Sequence, residues 1–513
     1  MTPRATRAHR PLLEAADVPL VVAIAAVGLI FRLLNFSGLG LGDDMLLRFD
    51  IYSLVHDGQV RASPNAYRFT WWLPTAVACR VFGLTERGFI VPILVFDVLG
   101  IITVYLLATN LWGRAAAVAA ALLLVVLPLD VAWSTMLTMD IVLSVFSALC
   151  ILAVLRATDR DGAPPRERAR AWTVAGLCLW LAYHTKISAL LLVPALGAIA
   201  WIRRRALDRT VLYFVATTIG LFSATVLGSW ILAGDALAPY HTELTWQGLT
   251  GDDAVRSHRF TSEFLWTYPR WLFCPDVFGD LVHSIYPHLL VGLAVAAPVL
   301  GLPTAWEVVW WLVMVLLGLE FNVQRVQGAW VAGFRSVRYT HVFAYPIVLL
   351  LGSYLAALRV RSRRGGTLLL ALLLAFSAWE SVSTASKTRI AFGDLRTVCS
   401  FLAGLPAKPV HSDFQLGYWM SHAGLREHGW DFAEVAYNPA ARVVELARLA
   451  PRGPAYVVTG GGREPYYGCT ECVPKAAELD LKQWALVKEF PSPIGPTSWR
   501  PEPLRLWEVR PSP

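Results

Sequence analysis

Apolar runs of roughly membrane-spanning length recur along most of this chain, and such runs settle only where backbone polar groups bond to one another. They lie near residues 18–35, 88–110, 114–134, 140–156, 171–184, 187–202, 211–233, 287–302, 304–320, 339–358 and 367–383, eleven in all. Hydrophobic residues make up 56% of the 513 residues and charged residues 16%, where a soluble domain carries roughly 25% charged. A mean hydropathy of +0.50 points the same way. A soluble enzyme and a disordered chain are therefore excluded. The net charge of +8 sits in short basic runs between the apolar ones, not on a soluble face. That pattern orients a membrane protein and gives no reason to expect a nucleic-acid partner.

Charge sets the sidedness. The N-terminal MTPRATRAHR is basic and precedes a run without a small-residue cleavage site, so it reads as cytoplasmic, followed by a retained helix. The inner loops are then those around Arg114, 156–170, 203–209 and 359–366, which hold the richest Arg clusters between runs. Eleven crossings place the C-terminal tail outside the plasma (inner) membrane. Segments 36–87 and 234–286 become outer loops, and 67–83, broken by Pro74 and Arg80, reads as a surface or re-entrant helix. From 388 onward, strands such as 455–460 and 505–509 alternate with helical stretches and Gly- or Pro-rich turns. The expectation is a polytopic α-helical membrane domain over 1–387 and a soluble extracytoplasmic α/β domain over 388–513.

Four outer features carry charge that insertion does not require. Asp43 and Asp44 open GDDMLLRFDIYSLVHDG, whose apolar residues fall at helical spacing. Asp43 is there either an N-cap or a general base. Asp140 opens a run, where the helix dipole favours a carboxylate, yet ionisable groups at the edge of a span commonly face a cavity. Lys186, in LAYHTKISALL, is the one lysine of the first 386 residues. Snorkelling explains a lysine at an interface, but not an isolated one in a membrane part that otherwise uses Arg. Arg335 and Arg338 precede the 339–358 run; planar guanidinium groups suit phosphate, with headgroup contact the plainer role for Arg335. Together, outer carboxylates and outer cations supply a base for an acceptor and charge for a departing lipid phosphate.

With those residues in place, the chain resembles the GT-C glycosyltransferases, including protein O-mannosyltransferases and the lipid A aminoarabinose transferase. GDD before an amphipathic helix looks like their paired-acid first loop, and LAYHTKI and RYTHVFAYP look like two later motifs. Asp44 stands where those families commonly have Glu, and the WWD motif of oligosaccharyltransferases is missing. The resemblance implies Asp43 as acceptor base, Asp140 assisting in positioning acceptor or sugar, and Lys186 and Arg338 on the donor phosphate. The weaker likeness of SHRFTSEFLWTYP marks a loop with His258, Tyr268 and Arg270 for acceptor or sugar. It further implies a polyprenyl-phosphate sugar donor, a hydroxyl acceptor on protein, glycan or lipid, and inversion at the anomeric carbon. No cofactor or catalytic metal is expected, since fixed cations can supply the charge that a metal supplies elsewhere.

Cys469 and Cys472 form CTEC, too few ligands for a zinc site unless His411, His422 or His428 joins them. In an outer domain a local disulfide fits better. The functional expectation is a membrane glycosyltransferase that moves one sugar at the outer face. The alternatives are a transporter or flippase of lipid-linked sugars, and a non-catalytic scaffold for envelope assembly. Internal repeats of the kind transporters often show are not evident.

Overall fold

The structure, a computed structural model, describes residues 13–36, 50–51, 54–55, 58, 67–135, 137–159, 164–246, 260–261, 265–274, 284–300, 302, 305–326, 328–333, 337–391, 393–412, 432–434, 437–438, 443–444, 454–459, 484–491 and 503–509. Every apolar run read from the sequence is helical. The helices are α1 (Val18–Leu34), α2 (Phe69–Phe82), α3 (Glu86–Trp112), α4 (Arg114–Val125), α5 (Pro128–Ser134), α6 (Asp140–Ala157), α7 (Pro165–Tyr183) and α8 (Leu192–Ile202). They continue with α9 (Val211–Ala233), α10 (Ala238–Trp246), α11 (Thr267–Phe273), α12 (Tyr286–Leu300), α13 (Trp306–Glu320), α14 (Ala344–Arg361), α15 (Arg363–Ala391) and α16 (Gly393–Leu402).

Among the described residues, six of these are long and apolar enough to cross a membrane, or seven if the bent pair α4 and α5 is one span. The expectation of eleven also counts α7, which opens on four charged residues, and the short stretches Ile187–Ile202, α12 and α13. The multi-pass character follows from the surface of the helices. Along α9, Leu212, Ile219, Leu227, Trp230, Ile231 and Leu232 all stand exposed, and Ser229 is the helix's one buried residue. Apolar surface of that extent is stable against lipid and not against water.

Two glycines set how closely the helices pack. Gly113, at φ 91, turns the chain from α3 into α4 without a loop. Gly352 of α14 lies so close to α4 that an added Cβ would stand 2.7 Å from the backbone nitrogen of Ala120, which is the small-residue packing that membrane helices favour. Between α4 and α5, Pro128 cannot donate to the preceding turn, and the axis bends by 57°. That bend carries Asp130 into the protein interior.

Ion pairs join the turns that the charge pattern assigns to one side. Arg114 meets Asp17 at 3.1 Å, Arg168 meets Asp208 at 2.8 Å, and Arg203 meets Glu307 at 2.9 Å. Hydrogen bonds from Thr210 hold the Asp208 carboxyl below the usual carboxylate range. At the opposite helix ends, Arg68 pairs with Glu243, and Arg396 of α16 lies 3.1 Å from Glu86 at the start of α3.

Beyond α13, β1 (Val323–Val326) and β2 (Ala329–Ala332) form an antiparallel ribbon. The strands of the C-terminal part are β3 (Val410–Ser412), β4 (Phe432–Glu434), β5 (Tyr437–Asn438), β6 (Val443–Val444), β7 (Ala455–Thr459), β8 (Trp484–Phe490) and β9 (Leu504–Val509). Five of them make a mixed sheet in the order β4-β3-β7-β9-β8, with β3 parallel to both β4 and β7 and the β9 pairings antiparallel. All five residues of central strand β7 are buried, which is why AYVVT reads as a continuous apolar run and not an alternating one.

Candidate active site

Lys186 owes its position to a break in the helical path. α7 ends at Tyr183, and Lys186 is extended at φ −160 and ψ 134 before a 3-10 helix, Ile187–Leu191, leads into α8. The residues of the break fasten it to the start of α2 and the residues just before it. His184 Nδ1 lies 2.8 Å from the Tyr67 carbonyl, and its Nε2 lies 2.9 Å from Thr225 Oγ1 on α9. Thr185 and Thr70 share a hydroxyl–hydroxyl bond of 2.8 Å, and the ring of Phe69 lies 5.2 Å from Trp180 and 4.6 Å from His184.

From this break Lys186 reaches Asp140, the first residue of α6, with Nζ 2.8 Å from Oδ1. Thr138 Oγ1 donates to the other carboxylate oxygen at 2.9 Å. The pair is deeply buried, the side chains 4% and 1% exposed. The ammonium also lies 3.5 Å from the centre of the Tyr339 ring, a cation–π contact. A buried ion pair is a poor device for stability alone, because desolvating both charges offsets most of their attraction. At the end of apolar helices it is a functional-site candidate on physical grounds.

Tyr339 belongs to a second 3-10 helix, Val337–Phe343, which leads into α14 and also carries Arg338. Three separate sequence features thus meet: the Asp140 run, the Lys186 break and the Arg338 segment. Tyr268 joins them, fully buried with its ring 5.3 Å from Trp271 and 6.4 Å from Phe343. Its short helix α11 is held at the N-terminus by Glu320, whose carboxylate accepts from the Thr267 and Tyr268 amides at 2.8 and 3.0 Å. Arg270 of α11 is exposed. Asp43, Asp44, His258, Arg335, Cys469 and Cys472 lie outside the described residues, as does the side chain of Arg338. Among the described residues no three His, Cys, Asp or Glu side chains converge as metal ligands. Cys79, Cys150 and Cys178 are buried as small hydrophobes, whereas Cys274 is exposed because it lies just past the end of α11.

Sequence reasoning missed a buried cluster next to this site, made of Arg32, Asp97, Asp130, His341 and Ser144. The signal is present in the chain: LIFRLL, LVFDVL and LPLDVA each hold one charge inside an apolar run. Opposite charges at membrane depth seek one another.

Residues 69–230 match the family described as dolichyl-phosphate-mannose-protein mannosyltransferase. No curated protein matches the chain by sequence. Solved structures do match it in three dimensions. ArnT from Cupriavidus metallidurans, bound to undecaprenyl phosphate, superposes with a TM-score of 0.60 at 15% identity, over 96% of this chain and 98% of that one. Its apo state gives the same TM-score and coverage at 14% identity. The oligosaccharyltransferase of Archaeoglobus fulgidus superposes with a TM-score of 0.56 at 13% identity, over 94% of this chain and 73% of that one. The chain is a multi-pass membrane protein with the fold of the GT-C glycosyltransferases.

Proposed function

We propose that this protein is a membrane glycosyltransferase that moves one sugar from a polyprenyl-phosphate carrier to an acceptor hydroxyl at the extracytoplasmic face. The observation that carries the reading is the buried Asp140–Lys186 pair beneath Tyr339, set within a fold shared with a protein that binds undecaprenyl phosphate. Lys186 is the donor-phosphate cation, Arg338 its partner on the adjoining segment, and Asp140 holds the ammonium in place until the phosphate arrives. Asp43 takes the proton of the acceptor hydroxyl. The freed oxygen attacks the anomeric carbon from the face opposite the phosphate, so the carbon–oxygen bond to phosphate breaks with inversion. The electron pair leaves on the polyprenyl phosphate, and its negative charge is met by Lys186 and Arg338. Arg335 contacts lipid headgroups, and His258, Tyr268 and Arg270 belong to the sugar and acceptor side.

This mechanism requires the outer loops 36–87 and 234–286 on one side of the membrane, eleven crossings and a C-terminal domain, 388–513, beside the acceptor. The ion pairs that tie the inner turns together support that alternation. The test is transfer in liposomes from a polyprenyl-phosphate sugar labelled in the sugar. New labelled glycoside that vanishes in Lys186→Ala supports the reading. Movement of intact donor across the bilayer with no new glycoside identifies a flippase instead. Neither event identifies a scaffold.

A further inference from the structure

The chemistry above leaves unused a line of buried polar groups directly beneath the Tyr339 segment. Arg32 of α1 is fully buried, with Nε 2.7 Å from Asp97 Oδ2 of α3. It donates to the Leu124 carbonyl at 3.2 Å, and also to the Val125 carbonyl and to Asp130 of α5. The other oxygen of Asp130 lies 2.8 Å from His341 Nε2, and His341 Nδ1 lies 3.0 Å from Ser144 Oγ on α6. His341 and Asp130 have no exposed surface, and Ser144 is 3% exposed.

The order Ser–His–Asp matches that of a hydrolytic triad, but a nucleophile must meet its substrate, and Ser144 is buried inside a continuous helix. The line has a different geometric consequence. Asp140 and Ser144 stand one turn apart on α6, while Tyr339 and His341 share one 3-10 helix. Two rungs therefore join that 3-10 helix to α6. One is Asp140–Lys186–Tyr339, which is the proposed donor site. The other is Ser144–His341–Asp130–Arg32, which lies deeper and reaches α1. A 3-10 turn has weak internal hydrogen bonds, so its placement depends on side-chain anchors such as these. Hydrogen bonds among buried polar groups are strengthened by the low local dielectric, and such networks specify a single arrangement.

We infer that His341 is a positioning residue for the lipid-phosphate donor. Held by Asp130 on one ring nitrogen and Ser144 on the other, it fixes the segment that carries Arg338 and Tyr339 at Lys186. This rests on the donor-phosphate reading of Lys186, so the experiment measures both.

Undecaprenyl phosphate binding is titrated on the purified full chain for wild type, Lys186→Ala, His341→Ala, His341→Gln and Ser144→Ala, beside the thermal midpoint of each. Losing a buried hydrogen-bonded anchor should weaken binding in His341→Ala by about ten- to a hundredfold. Glutamine, whose amide still donates to Asp130, should recover to within about threefold of wild type. In transfer assays His341→Ala should raise the donor KM more than it lowers kcat, which a general loss of folded protein does not do. Wild-type affinity in His341→Ala, with binding lost in Lys186→Ala, overturns the positioning role and leaves the donor site standing. Wild-type affinity in Lys186→Ala overturns the donor reading and this inference with it. Should His341→Ala fail to fold, Ser144→Ala decides: binding weakened several-fold supports the anchor, and unchanged binding refutes it.

Discussion

Substituting both members of the Asp140–Lys186 pair separates what the pair does for the fold from what it does for a substrate. Lys186→Met removes the ammonium and leaves a carboxylate 1% exposed with one fewer cation nearby. Asp140→Asn does the reverse, keeping the Thr138 hydrogen bond but leaving the ammonium without the carboxylate charge it meets at 2.8 Å. Breaking a buried pair from one side costs about 3–5 kcal/mol, whereas replacing both charges is often neutral or stabilising by about 1–4 kcal/mol. Each single variant should therefore unfold at lower denaturant in mixed micelles, and Lys186→Met/Asp140→Asn should return close to wild type. A thioether over the Tyr339 ring also fills the place of the lysine stem. Activity should behave differently. Loss of a fixed charge from a water-excluded phosphate site costs about 3–4 kcal/mol in the transition state, or two to three decades in turnover. The double variant should thus be stable and inactive. The assay is single-turnover sugar transfer measured on the same preparations as the unfolding curves. A double variant that is both stable and active would show that the pair is structural only, and the proposed phosphate site would be wrong.

Three further outcomes follow from the same geometry. Asp43→Asn should bind the lipid-phosphate donor normally yet lose about 10²–10⁴-fold in transfer if Asp43 is the base; transfer within a few fold of wild type would leave it a helix cap, a role Asn fills equally well. In cells whose Cys469 and Cys472 are replaced by Ser, an impermeant maleimide should label the exposed Cys274 from outside, whereas Ser362→Cys, between α14 and α15, should label only after permeabilisation once Cys274 is also replaced by Ser. Labelling of both from the same side would break the proposed topology. Gly352→Ala should destabilise the protein by about 1–3 kcal/mol in denaturant titration through overpacking, since its Cβ would meet the Ala120 backbone at 2.7 Å; an unchanged midpoint would show that α4 and α14 separate freely.

Much of the helical framework and part of the candidate site are legible in the amino-acid sequence alone. Helix positions follow from apolar runs because lipid leaves the backbone no partner but itself, and α3, α6 and α9 begin and end within a few residues of the runs that predict them. Lys186 stands out because it is the one lysine of the first 386 residues, and Asp140 because it opens a run. Their meeting is another matter. The two lie 46 residues apart, and their contact depends on where α7 breaks and how α6 packs beside it. Asp97 and Asp130 give weaker warning still, since a single charge in an apolar run is compatible with a cavity, a headgroup or an error of span boundary. Arg32 and Asp130 are 98 residues apart, and His341 a further 211 beyond Asp130. Local sequence determined that these segments are helices, since hydrophobicity and backbone bonding act over a few turns. Only the packed structure decided which buried charge answers which, because that choice is made between helices, by the Pro128 bend and the close approaches at small residues.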